Sequence, residues 1–348
     1  MKVKRELMEW ERDMVKGCKI RAGKVVDEGH ERVTTFHINA ERERTVNSKI
    51  EQLEVDGRVL VRKDGVAEGL LQHFKSVFQR GENTNSSGRE GFLEVIRERV
   101  NMEGDRQDGV ITMDELKFAL GRTKKDKSPG IDGISYEFYI EFFQTVGPTM
   151  VEMMNMSIRR RKLEKSQGLA VIKLLPKKKN AIRPSDFRSI SLLCTDYKLL
   201  SGILAERLKT TLPESIGGGQ RGGVPGRKIF NSLTLFRDFI ERINELKERG
   251  GKIGAALVAI DLEKAYDFVD RNALWTIMDA MGYSRQFTDM LRTLYNNCDM
   301  QIMNCGDECG TIVAKNSIRQ GCPLSMHLFV IYLEPLLVNL EQDLGVSR

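Results

Sequence analysis

Six apolar residues run without a break from 255 to 260 and meet a carboxylate at Asp261. An apolar run of that length, without alternation, predicts a strand buried on both faces that delivers Asp261 to a sheet edge. An unpaired buried carboxylate is costly, so Asp261 either caps the next turn or partners a metal ion. Elsewhere the pattern changes period. Residues 50–55 and 58–61 flank Asp56-Gly57 and predict a β-hairpin, and residues 66–78 predict an amphipathic helix. The Gly, Asn and Ser of residues 79–91 predict a flexible linker and a domain boundary. Thr112 and Glu115 form a capping-box pattern for a helix to about Gly121. Pro129, Gly130 and Gly133 force a loop over 127–133, and a Phe- and Met-rich helical region follows to about Arg161. Residues 169–175 predict a strand ended by Pro176. Helices are expected over 195–210, 228–246, 271–281 (capped by Asp270) and 284–296. Two short strands should surround 306–310, and a last helix runs from Pro323 towards Leu340. Residues 1–48 are charge-rich and read as partly helical, with Leu7, Trp10 and Met14 on one face.

Composition narrows the class. With 348 residues, 41% apolar and 30% charged, the chain has the make-up of a soluble globular protein with room for two or three domains. No run reaches the ~18 apolar residues of a membrane span, since Glu334 and Pro335 break residues 328–338, and the charged N-terminus is not a secretory leader. Six cysteines without a C-x-x-C pair fit free thiols in a reducing compartment. Cys305 and Cys309 would be half a zinc site with no matching half nearby. The net charge is +6, and residues 121–230 hold 21 Lys and Arg against 10 Asp and Glu. That concentration points to a polyanion, nucleic acid being the usual one; a solvated basic face is the plainer alternative. The glycine cluster of 216–227 is not a P-loop, because no Gly-Lys-Ser/Thr closes it.

Five blocks occur in order: KSPGIDG (127–133), IKLLPKKKNAIRPSDFRSISL (172–192), QRGGVPGRK (220–228), AIDLEKAYD (259–267) and RQGCPLS (319–325). Together they resemble the reverse transcriptase domain of non-LTR, LINE-type retrotransposons over roughly residues 50–345. The resemblance implies an α+β right-hand polymerase, with a largely helical N-terminal extension (1–91), fingers (92–230) and an incomplete ferredoxin-like palm (231–348). It implies RNA-templated transfer of a deoxynucleotide to a DNA primer through two Mg²⁺ ions held by carboxylates on a rigid strand. Asp261 matches the first metal-binding Asp, with the Leu262 carbonyl as a second ligand. Tyr266 matches the aromatic gate beneath the incoming sugar, and Lys264 and Ala265 join it on the nucleotide side. Lys177 and Arg188 match basic residues that grip the triphosphate, for which a guanidinium fork is suited. Gln320-Gly321 matches the block under the templating base pair. Lys127, Gly130, Asp132, Gly133, Lys178, Gln220, Gly226, Arg227 and Arg319 are implied along the template path. Asp267 and Asp270 read as structural. An intracellular home, in the nucleus or a cytoplasmic ribonucleoprotein, follows from the same resemblance.

The pattern also departs from the family. No Asp-Asp pair stands anywhere in the sequence, so the aromatic-x-Asp-Asp block with the second metal-binding Asp is absent, and no thumb is recognisable. Ser189 stands where the family has Pro, Gly223 where it has an aromatic, and Met326-His327 where it has Pro-Leu. The expectation is a truncated domain whose open palm edge favours oligomers or aggregates. A non-catalytic RNA-binding protein is the competing reading, and an intron-type maturase fits the upstream hairpin and the 127–133 loop less well. Primer extension by this chain on an RNA template with Mg²⁺ is expected to be undetectable; measurable extension would refute an incomplete catalytic centre.

Overall fold

The computed structural model describes residues 49–79, 86–99, 107–123, 127–250, 258–296 and 298–343. The partly helical reading of 1–48 lies outside them. The first element is the expected hairpin, β1 (Leu53–Val55) and β2 (Arg58–Leu60). Asp56 and Gly57 both take positive φ, 49° and 75°, the geometry a two-residue hairpin requires. Next come α1 (Lys63–Phe78) and α2 (Ser86–Arg99). Residues 86–91 are thus helical, and the linker reading is corrected there: Ser and Gly opening a helix resemble a loop in composition. α3 (Met113–Gly121) starts at the predicted box, in which Thr112 accepts from the Glu115 amide and Glu115 from the Thr112 amide. α4 (Tyr136–Glu141) and α5 (Phe143–Arg160) form the aromatic- and Met-rich region.

The larger sheet is built late. After α6 (Lys165–Gly168) comes β3 (Leu169–Pro176), then β4 (Phe187–Leu192), α7 (Thr195–Lys209), α8 (Leu212–Ser215), α9 (Ile229–Glu248), α10 (Arg271–Ala280), α11 (Arg285–Tyr295), β5 (Asp299–Asn304), β6 (Asp307–Val313) and α12 (Ser325–Asp343). The strand order is β4-β3-β5-β6. β3 pairs antiparallel with β4, Leu175 opposite Arg188, and parallel with β5, Ile172 opposite Ile302. Mixed sheets and packed helices make the fold α+β, as expected. β4 was not foreseen as a strand. Its inward positions are Phe187, Ser189 and Ser191, so the alternation is one of size rather than polarity and escapes a hydrophobic-period reading.

The predicted strand at 255–260 is the main correction. Residues 251–257 lie outside the described ones, while 258–262 adopt no strand and pair with none of the four strands of the larger sheet. Val258 and Ile260 are 76% and 77% exposed. A strand buried on both faces needs neighbouring ladders to satisfy its backbone, and among the described residues none lies beside this run. The exposed apolar liability expected at a strand edge sits instead on α9. No residue of that helix is buried, and Ile229, Phe230, Leu233, Phe236, Phe239 and Ile240 face solvent.

Half-buried and buried arginines hold the layers together. Arg207 on α7 forks onto Glu115, Nε to Oε1 at 2.6 Å and Nη2 to Oε2 at 2.9 Å. Its remaining N–H groups go to the carbonyls of Gln107, Gly109 and Val110. One side chain thereby ties α7 to α3 and to the approach to it. Arg271 repeats the device, donating to the carbonyls of Tyr295, Ala314, Asn316 and Ser317. Removing Arg207 would leave the half-buried Glu115 carboxylate and three backbone carbonyls without their donor, and a hydrogen bond to a charged group is worth about 1.5–3 kcal/mol. Arg207→Ala is therefore expected to lower unfolding free energy by about 3 kcal/mol, read as a shift of the urea midpoint at unchanged slope.

Candidate nucleotide and nucleic-acid site

Three strips of chain converge at the end of β3. The first is the β3–β4 connection. Lys177 follows Pro176, its amide bonded to the Asp186 carbonyl at 2.8 Å and its ammonium to the Ser185 carbonyl at 2.8 Å. Arg188 is exposed on β4 opposite Leu175, so both triphosphate candidates stand at one end of the sheet. The second strip is the turn of 263–268, in which the Asp267 amide donates to the Lys264 carbonyl at 2.9 Å. The third is residues 317–321. Ser317 and Ile318 donate backbone bonds to Val269 and Tyr266, 2.8 and 3.0 Å, and the Gln320 carbonyl accepts from Ser191 on β4 at 2.8 Å. Gly321 is required here. Its φ is +111°, and a Cβ would stand 2.7 Å from the Ser191 carbonyl oxygen.

Side chains complete the meeting. Gln320 Nε2 donates to Asp267 Oδ1 at 3.4 Å. Asp267 is 8% exposed, and burial pushes its carboxyl up to about 6 against the pull of Lys264, Gln320 and Lys177. Lys264, at φ 52°, lies 5.7 Å from the Phe268 ring centroid. His73 of α1 is lowered to about 4 by burial and then by Lys264. The Tyr266 ring packs on Phe329 of α12 with centroids 5.2 Å apart. The structure thus joins Lys177, Lys264, Tyr266 and Gln320, and adds Asp267. Asp270 is the helix cap expected, accepting from the amides of Asn272 and Ala273.

Other candidates are placed elsewhere or are already occupied. Asp261 and Leu262 are exposed. Asp261 belongs to no cluster of three or more metal-ligating side chains among the described residues.

Among the described residues, such a cluster is formed by Asp132, Cys194 and Asp196, whose ligand atoms lie within 4.8 Å of one another. It is internally satisfied. Asp132 accepts from the Ile134 amide, Cys194 donates to the Ser166 carbonyl, and Asp196 accepts from Gln167 and the Tyr197 amide. Burial raises the thiol, and it sits at the N-terminus of α7, where the helix dipole opposes a cation. The loop of 127–133 and its exit are held by Lys198 and Thr195 of α7, which donate to the Ser128 and Ile134 carbonyls, and a Cβ on Gly130 would stand 2.5 Å from the Cys194 backbone.

Arg319 is corrected as a template contact. It is 1% exposed, donates to the Gly168 carbonyl and lies 4.8 Å from the Tyr197 ring centroid, out of reach of a phosphate. Arg227 is corrected likewise: its guanidinium donates to the carbonyls of Pro213, Ile216, Gly217 and Gln220 and pins the glycine cluster. Charge in a sequence does not distinguish such arginines from solvent-facing ones. Lys178 pairs with Asp186 at 3.0 Å. Lys127, Gly133 and Gly226 are exposed and Gln220 half-buried. Gly223 and Met326, two departures from the family pattern, touch one another. A Cβ on Gly223 would come within 2.8 Å of Val330 and 3.2 Å of Met326.

The profile described as "Reverse transcriptase (RNA-dependent DNA polymerase)" matches residues 175–347. Over 252 residues the chain is 34% identical to the "Transposon TX1 uncharacterized 149 kDa protein" of Xenopus laevis, covering 72% of this chain and 19% of that protein. Over 280 residues it is 26% identical to the "Retrovirus-related Pol polyprotein from type-2 retrotransposable element R2DM" of Drosophila melanogaster, 80% and 25% of the two chains. The chain thus spans a quarter or less of the length of these relatives, and it belongs to the reverse transcriptase family of non-LTR, LINE-type retrotransposons. Among the described residues no helix is long and apolar enough to cross a membrane.

The raised Asp267 carboxyl has a consequence for stability. A folded-state value of about 6 against 3.8 means that the native state favours the proton. The stabilisation is complete below about pH 4 and is lost as pH rises through 6, a cost on the order of 3 kcal/mol. Asp267→Asn is expected to stabilise the fold at pH 8 and to lose that advantage towards pH 4, read by urea unfolding at both values.

Proposed function

We propose that this chain supplies fingers and part of a palm for RNA-templated DNA synthesis, and does not complete the reaction by itself. The observation that carries this reading is the convergence of Lys177, Lys264, Tyr266 and Gln320 at the end of β3 where Arg188 also stands. Two cationic side chains there receive a triphosphate, and Arg188 suits a bidentate grip. Tyr266, held against Phe329, presents a ring that a 2′-hydroxyl would meet, which favours deoxynucleotides. Lys127, Gly133 and Gln220 follow the template strand through backbone and shape contacts. Mg²⁺ supplies Lewis-acid activation in such reactions. Asp261 and the Leu262 carbonyl are the residues assigned to it, and a second carboxylate has to join them. Template RNA, DNA primer and deoxynucleoside triphosphate are the partners, in an intracellular setting.

The exposure of Asp261 outside any strand favours a second reading, a non-catalytic RNA-binding protein. Equilibrium binding to an RNA template–DNA primer at several salt concentrations tests the shared part. About four phosphate contacts predict a slope of log K on log salt near −3, and Lys127→Ala with Lys178→Ala, both on the template side, should make it shallower by about 1.4. An unchanged slope would remove these residues from the interface. A preference for the complementary deoxynucleotide in the bound complex supports the polymerase reading; tight RNA binding without one supports the second.

A further inference from the structure

We propose that Asp267 is a positioning residue whose carboxylate orients the Gln320 side-chain amide towards the incoming nucleotide. The inference rests on the nucleotide-site reading above. Gln320 has little backbone freedom. Its carbonyl is bonded to Ser191 of β4, and Gly321 beyond it is wedged against the Ser191 carbonyl. The 317–318 segment before it is bonded to Val269 and Tyr266. What remains free is the side chain, and the amide has two chemically different ends. An ionised carboxylate only accepts hydrogen bonds. Asp267 Oδ1 therefore selects Nε2, at 3.4 Å, and leaves Oε1 as an acceptor turned away from the carboxylate. An acceptor fixed there suits the N–H and O–H donors of a nucleotide base edge and sugar, and not the phosphate oxygens that Lys177 attracts.

The turn itself does not need a carboxylate at this position. It is closed by backbone, Asp267 and Phe268 amides both donating to the Lys264 carbonyl, and the capping duty falls to Asp270. Asp267 is nonetheless buried at the cost worked out above. The charged groups whose fields reach it are Lys264 on its own turn and Lys177 at the end of β3, the second of them a cation assigned to the triphosphate. One carboxylate thereby bonds a side chain of the 317–321 strip and feels the charge of Lys177 at the end of β3, both distant from it in sequence. Such an arrangement is preorganisation by a supporting residue, and its loss is felt through Gln320 rather than directly.

The test uses the full chain on an RNA template annealed to a dideoxy-terminated DNA primer, with 2-aminopurine as templating base and its fluorescence reporting the complementary nucleotide. Asp267→Ala and Gln320→Ala are each expected to weaken that nucleotide about tenfold, and the double variant to be no weaker than either single one, since coupled residues are not additive. Exchanging the groups, Asp267→Asn with Gln320→Glu, should restore affinity to within about threefold. A double variant whose losses multiply, or an exchange that does not rescue, overturns the proposal. An independent arm follows the Gln320 side-chain amide by ¹⁵N NMR, assigned by its disappearance in Gln320→Ala. That resonance should titrate with a midpoint near pH 6 and stay flat in Asp267→Asn. A signal indifferent to Asp267 overturns the pairing even if nucleotide binds. A titrating signal in a chain that discriminates no nucleotide upholds the pairing and rejects the polymerase reading.

Discussion

The backbone bond between Ser191 and Gln320 is the contact on which the site depends. It fastens the 317–321 segment to the edge strand β4, while bonds to Tyr266 and Val269 fasten the same segment to the turn that carries Lys264 and Asp267. Remove that clamp and the basic end of β3 has no defined relation to the aromatic that would gate a sugar. The clamp is possible because residue 321 has no Cβ. A backbone in contact with a neighbouring carbonyl leaves no compliance, whereas a side-chain contact would adjust. Placement of the groups gathered at the end of β3 is thus a backbone property, and under the proposal made above the orientation of the Gln320 amide falls to Asp267.

Much of the scaffold was legible because the signals were local. Asp56-Gly57, the Thr112–Glu115 box and the Asp270 cap each act within four residues, and each appears where the pattern put it. What was misread depended on distant partners. The 258–262 run has the composition of a central strand but no ladder beside it among the described residues. β4 hides its inward face in two serines. Arg319 and Arg227 belong to blocks that suggest nucleic acid, yet the Arg227 guanidinium is spent on backbone carbonyls and that of Arg319 is buried against Tyr197 with one bond to the Gly168 carbonyl. For the site, the blocks singled out Lys177, Tyr266 and Gln320 for a nucleotide, and the fold brings their segments to the end of β3, while Asp267 read as part of a turn because nothing local reveals a buried carboxylate.

The arginines revise the meaning of the charge. Arg207, Arg227, Arg271 and Arg319 together bond to more than a dozen carbonyl and carboxylate acceptors inside the fold. Guanidinium suits this because its N–H groups fan out in a plane and never lose their proton. The basic excess of the sequence is therefore partly internal mortar. The cations left for a polyanion are fewer, and those at the end of β3 gain importance accordingly. The contact between Gly223 and Met326 has a similar lesson: two departures that look independent along the chain share one space.

The uncovered apolar face of α9 also sets how the chain responds to heat. Burial of such a face carries a negative heat-capacity change and weakens on cooling. Any association made through Phe230, Leu233, Phe236 and Ile240 is then loosest in the cold and tightens on warming, opposite in sense to ion-pair contacts with nucleic acid, which answer mainly to salt. Temperature and ionic strength therefore act as separate handles on two faces of the same molecule.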